Sequence, residues 1–223
     1  MPAFEPRADE LPRQFPVFPL PGALLLPGGK LPLNIFEPRY LAMTEDALGA
    51  GRMFGMIQPD PRLAEGANGP GLYRVGCLGR LVSFSETDDG RYLITLLGLA
   101  RFVVMEELPM RRGYRRVRAD FSPFAGDLAA TREEEPGFDR TALVQALRGY
   151  FARHGIDANW EAINQMHDHA LVVTLSMVCP FDPAEKQALL EAATPAERAQ
   201  TLHTLLQIET HAAPAAESGH RVS

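Results

Sequence analysis

The sequence has little lysine and cysteine, and no long apolar run. Of 22 basic residues only Lys30 and Lys186 are lysine. A phosphate-binding loop needs Gly-x-x-x-x-Gly-Lys-[Ser/Thr], because backbone N–H groups wrap the phosphates while the lysine reaches their outer oxygens. Gly28-Gly29-Lys30 is followed by Leu31, and Leu24 stands where the first glycine should be, so Pro27-Gly28-Gly29 reads as a turn between strands. A Ser/Lys hydrolase would have to draw on one of the two lysines, and neither has a serine in a recognisable setting. No Gly-x-Ser-x-Gly occurs either, so no catalytic residue is assigned.

Cys77 and Cys179 are the only cysteines and form no CxxC, which argues against a zinc ribbon or a disulfide framework and for two buried thiols. In His167-Asp168-His169 the two imidazoles are two positions apart and diverge on a helix, unlike an i, i+4 ligand pair. No metal or cofactor is expected. No apolar stretch is long enough to cross a bilayer, and the opening residues carry Glu5, Asp9 and Glu10 in place of an apolar signal region. These features predict a cytoplasmic protein without a membrane partner.

Net charge is −6, unevenly spread: 15 basic and 14 acidic residues up to Gly126, then 7 basic and 14 acidic. Since phosphate backbones are held by accumulated positive charge, this balance argues against general nucleic-acid binding. One dense basic run exists, Met110 to Arg118, with five arginines around Tyr114. Strand alternation would split it, Arg116 and Arg118 facing away from Arg115. Two readings stand: a binding strip for nucleic acid or acidic peptide, or a solvated hairpin arm whose arginines pair with the acidic second half. The second is preferred.

What is present is a change of period. Candidate strands are 15–20, 31–36, 53–58, 73–85, 92–97, 102–107 and 115–121, with Asp89-Gly90 as a tight reversal and a Pro/Gly-rich, mobile loop over 59–71. One helix interrupts them, opened by Pro38. Several short strands plus one helix suggest a small closed or nearly closed barrel. Beyond 137 the spacing becomes helical: Leu143, Leu147 and Phe151, then one helix over 160–178, then two helices announced by Asp182-Pro183-Ala184-Glu185 and Thr194-Pro195-Ala196-Glu197. The expected class is α+β: an N-terminal arm over 1–14, a β-rich barrel over 15–126, a linker over 127–137, an antiparallel helical bundle over 138–211 and a disordered tail over 212–223. In Phe36-Glu37-Pro38-Arg39-Tyr40, charges flank a proline where strand hands over to helix. Glu37 and Arg39 are expected to be a partly buried pair that fixes this junction.

Taken in order, several runs resemble the amino-terminal domains of the Lon protease family. They are Phe18-Pro19-Leu20-Pro21, Leu26-Pro27-Gly28, Leu31 to Tyr40, Phe54-Gly55-Met56-Ile57, Gly76-Cys77-Leu78-Gly79, Gly98-Leu99-Ala100-Arg101-Phe102, Pro180-Phe181 and Glu185 to Glu191. The resemblance spans about Phe15 to Glu209. It implies a PUA-like β barrel followed by a helical bundle, and a role in recognising protein substrates or degradation signals. The sequence stops where that family's linking helices, ATPase and Ser/Lys protease would begin, so neither activity is expected. The expected function is a non-catalytic protein- or peptide-binding module, an adaptor or regulator in protein quality control. Its partners would be unfolded or exposed hydrophobic segments, or a partner protein; its oligomeric state is left open. Leu20, Leu24 and Leu26 with the 59–71 loop are the candidate groove, and Arg115, Arg116 and Arg118 the candidate strip. An RNA-binding PUA-like protein is the alternative, and a small-ligand sensor a third.

Overall fold

The computed structural model describes residues 10–129 and 137–211. Most of the expected arm, most of the linker and the whole tail lie outside those residues. Six strands form one mixed sheet: β1 (Gln14–Pro19), β2 (Lys30–Ile35), β3 (Met53–Ile57), β4 (Val75–Glu86), β5 (Tyr92–Arg111) and β6 (Tyr114–Asp120). Their order is β2-β5-β4-β3-β1-β6, and β5 also pairs with β6. Five strands therefore make a circuit that returns on itself, and β2 hangs outside it on the first half of β5. β1 runs parallel to β3; the other pairings are antiparallel.

The two strands expected over 92–97 and 102–107 are one. The Gly98 N–H donates to the Gly29 carbonyl and the Gly28 N–H to the Gly98 carbonyl, both at 2.9 Å. A β-carbon at Gly98 would overlap the Leu26 carbonyl oxygen, so this glycine marks a close backbone approach within a strand and not a turn. Register shifts at Val104/Glu106 and Leu108/Arg111 then bend β5. Both of its ends reach α1 (Pro38–Gly49), where Glu45 meets the Tyr92 hydroxyl at 3.3 Å and Arg112 at 2.7 Å.

A 3-10 turn over Ser122–Phe124 and α2 (Gly126–Ala129) follow the sheet. Then come α3 (Arg140–His154), α4 (Trp160–Gln165), α5 (Asp168–Val178), α6 (Pro183–Glu191) and α7 (Pro195–His211). The single helix expected over 160–178 is two. Met166 and His167 are extended, and Arg140 donates to the Ile163 and Asn164 carbonyls at 2.9 and 3.0 Å while pairing with Asp168. That one guanidinium ties carbonyls at the end of α4 to a carboxylate opening α5, which stabilises the break. Asp182 and Glu185 form the complete capping box that their spacing predicts. At α7 the Glu197 N–H donates to Thr194, but the Glu197 carboxylate reaches back one residue further, to the Ala193 N–H.

Apolar packing divides into two clusters. The smaller draws on all five strands of the circuit, with Phe15, Val17, Ile57, Leu78, Phe102 and Val117. The larger joins Leu24–Leu26 and Met43 to Leu143, Leu171, Leu190 and Leu202, so strand and helical halves share one core. Polar clamps cross the same boundary. Arg101 is buried, holds Asp127 through both carboxylate oxygens at 2.8 and 2.9 Å, and donates to the Leu190 carbonyl on α6 at 3.1 Å. Gln58 donates to the Pro183 carbonyl at 2.9 Å and to Gln187 at 3.1 Å.

Candidate binding surfaces

The family-like motifs turn out to be mostly interior. Gly55 and Gly76 lie against the Phe102 ring and Gly79 against Leu25, where any side chain would collide. Cys77 and Cys179 are buried, and burial pushes both thiols up, Cys179 to about 12. As a thiolate is the reactive form, burial works against either thiol acting as a nucleophile. Lys186 is also buried, donating to the Met177 carbonyl at 3.2 Å, with its pKa lowered by that burial. No group of three His, Cys, Asp or Glu able to hold a metal occurs among the described residues.

The expected apolar groove does not exist as an open surface. Leu24 and Leu26 are fully buried between sheet and helices, and Leu20 is half-buried against the same cluster. Three consecutive leucines beside a Pro-Gly turn signal apolar burial, and sequence alone does not say whether the cover is a partner or the chain's own helices.

The arginine strip is neutralised, but by other acids than expected. Arg111 pairs with Asp46 at 3.3 Å, and Arg112 with Glu45 and Asp46 at 2.7 and 3.0 Å, both on α1. Arg118 meets Glu106 at 3.1 Å, and Arg115, almost buried, donates to both Glu107 oxygens at 2.7 Å. These acids come from α1 and β5 and not from the helical half. Arg116 is half-buried, opposite Pro16 on β1 and Leu108 on β5. Asp46 also accepts the buried Tyr114 hydroxyl at 2.6 Å, a bond that leads in holding its carboxyl below the usual range, helped by Arg112 and Arg111.

Arg115 is where the strip meets the 59–71 loop. Its guanidinium donates to the Pro70 carbonyl at 2.6 Å, and Asn68 donates to Glu107 at 2.9 Å. The result is a cleft of about 360 Å³ lined by Leu63, Asn68, Leu72, Glu107 and Arg115. The loop is further fastened by Asp60, which accepts the Arg62 guanidinium at 2.8 Å and whose N–H donates to the Gly71 carbonyl at 2.8 Å. Arg115 is engaged on all three nitrogens, so the cleft offers a ligand no free cation from it.

Sequence reasoning missed the arm formed by β2 and the facing halves of β5 and β4. On its outer face lies a trough of about 430 Å³ lined by Pro32, Asn34, Ser83, Ser85, Leu93 and Thr95, without a charged side chain. On the same arm Phe36 is 61% exposed, Leu93 and Val82 46% each and Phe84 39%, with Phe84 on the face opposite Leu93 and the trough. Phe84 stacks on Tyr92 with centroids 5.0 Å apart. The Glu37–Arg39 pair beside Phe36 forms at 2.7 Å, yet both side chains are about half exposed, so it is a surface pair and not the partly buried one expected. Arg39 lies over the Tyr40 ring instead, and buried Tyr40 packs on Phe18. No local sequence signal marks the arm, because the alternation in 31–36 distinguishes the two faces of a strand and not what covers each.

These features define an α+β fold: a bent sheet packed on a helical layer, with exposed apolar side chains on an arm. The family model for the ATP-dependent protease La (LON) substrate-binding domain matches residues 14–207, and the chain belongs to that family. It is 29% identical over 112 residues to Lon protease 2 of Myxococcus xanthus, covering 50% of this chain and 13% of that protein. To the Lon protease of Elusimicrobium minutum it is 24% identical over 212 residues, 92% of this chain and 25% of that one. The chain thus spans a quarter or less of these relatives. The solved Lon N-terminal domain protein from Xanthomonas campestris shares the fold, with a TM-score of 0.58 at 21% identity over 86% of this chain and 97% of that one. No described helix is long and apolar enough to cross a membrane.

Proposed function

We propose that this chain is a non-catalytic module that binds exposed hydrophobic segments of protein, through the β2–β5–β4 arm. The uncharged trough beside exposed Leu93 on one face of the arm, with exposed Phe84 on the opposite face of its free edge strand, is the observation that carries this reading. Solvent-facing apolar groups gathered along one free strand edge favour an interaction site, whereas the same residues scattered singly would not. Membership of a substrate-binding family supports a polypeptide as the ligand. The circuit of five strands supports a PUA-like barrel as the scaffold, and an adaptor or regulator acting in the cytoplasm fits a domain of this kind. RNA is disfavoured, because Arg111, Arg112, Arg115 and Arg118 are already matched by carboxylates.

Calorimetric titration with a reduced, carboxymethylated model protein tests this. Saturable binding that persists in high salt is expected, with none to the same protein in its native form. No heat of binding at high micromolar concentration would remove the proposal.

A further inference from the structure

The arm has two free edges, and they are built differently. The hydrogen bond from the Gly98 N–H to the Gly29 carbonyl sets the parity of the β2–β5 ladder, so Leu31, Leu33 and Ile35 turn their backbone groups toward β5. Pro32 then falls at an outward position, where its missing N–H blunts the edge, with Lys30 beside it. On the far side, the Thr87 N–H donates to the Arg91 carbonyl, which fixes Ser83 and Ser85 as the residues bonded to β5. The N–H and C=O groups of Phe84 and Glu86 therefore point outward. β3 reaches only as far as Arg80 in its pairing with β4, and all five residues Val82–Glu86 are exposed. This edge has no proline or lysine, and no element among the described residues covers it.

We propose that Val82–Glu86 takes up an extended segment of an unfolded polypeptide by strand addition. The added strand bonds to the outward backbone groups of Phe84 and Glu86. Its alternate side chains lie over the Phe84–Tyr92 ledge on one face and the Ser83–Ser85–Leu93 face on the other. Charge sets the segment's chemistry. Asp89 is matched by Arg91 at 2.8 Å, whereas Glu86 and Asp88 have no ion-pair partner among the described residues. The favoured segment is uncharged and β-branched in its centre, with a basic residue at the end that meets Glu86 and Asp88. A second copy of this chain fits less well: antiparallel self-pairing sets Glu86 opposite Val82 and brings together two chains of net charge −6. This inference rests on the peptide-binding reading above and adds its mode.

The probe is a labelled peptide alternating valine and threonine with one terminal arginine, followed by fluorescence anisotropy. Phe84→Pro removes one outward N–H, as Pro32 does on the other edge, without touching the ladder to β5. It should weaken binding about tenfold or more, while Phe84→Ala, which keeps the N–H, weakens it less. The same peptide N-methylated at alternate amides should not bind wild type, and this comparison decides the matter if Phe84→Pro fails to fold. Equal binding of the methylated peptide, or an edge-to-edge dimer in sedimentation, would overturn strand addition. If the peptide fails while carboxymethylated protein still binds, the mode is wrong and the broader reading stands; if neither binds, both fall.

Discussion

Leu24 illustrates how a residue changes meaning once its surroundings are known. Placed in an open groove, its truncation would weaken partner binding; buried as it is, truncation removes core contacts and leaves a cavity. Leu24→Ala should cost about 2–5 kcal/mol in denaturant unfolding, with unfolded-protein affinity of the folded fraction unchanged. Tyr114 and Asp46 make a second residue-scale case. Asp46 is held below the carboxylate range chiefly by the Tyr114 hydroxyl, so their bond contributes stability above about pH 3.9 and loses it as pH falls through the depressed value. Tyr114 is pushed up to about 12, first by burial and then by Asp46, so its contribution is complete below about pH 10 and fades above it. Wild type should exceed Tyr114→Phe in stability near neutrality, and the gap should close on acidification below about pH 4, read by urea unfolding across pH. A gap independent of pH would show that the bond is not formed to a carboxylate.

At the scale of elements, the caps were legible because their chemistry is local. Asp182-Pro183-Ala184-Glu185 carries its own donors, acceptors and fixed φ, and the box forms as spaced. Asp182→Ala should cost about 1 kcal/mol, measured as a lowered unfolding midpoint with an unchanged denaturant slope. The strands near 15–20, 31–36 and 53–58 and the helix from Pro38 were legible for the same reason, their periodicity being a property of neighbours in sequence. Non-local effects were not. Gly98 looks like a strand end until Leu26 is seen to press on it, and 160–178 looks like one helix until Arg140 claims the carbonyls at its middle. The arginine strip was read correctly as paired and wrongly as to its partners, because local spacing cannot say which acids a hairpin folds onto. The arm itself was invisible, since exposure of Leu93 and Phe84 depends on what fails to cover them.

For the molecule as a whole, the shared core and the Arg101 and Gln58 clamps tie strand and helical halves together. Thermal unfolding should follow one transition, coincident by far-ultraviolet circular dichroism and tyrosine absorbance, and not two separated steps. On the proposed reading, the arm beside this shared core is the surface that meets a partner. Hydrogen–deuterium exchange with and without a carboxymethylated, unfolded protein tests that claim most directly. New protection is predicted within Val82–Glu86 and the adjoining Leu93–Thr95, with the 59–71 loop and Arg116 unchanged; protection confined to that loop or to Arg116, or none anywhere, would contradict it.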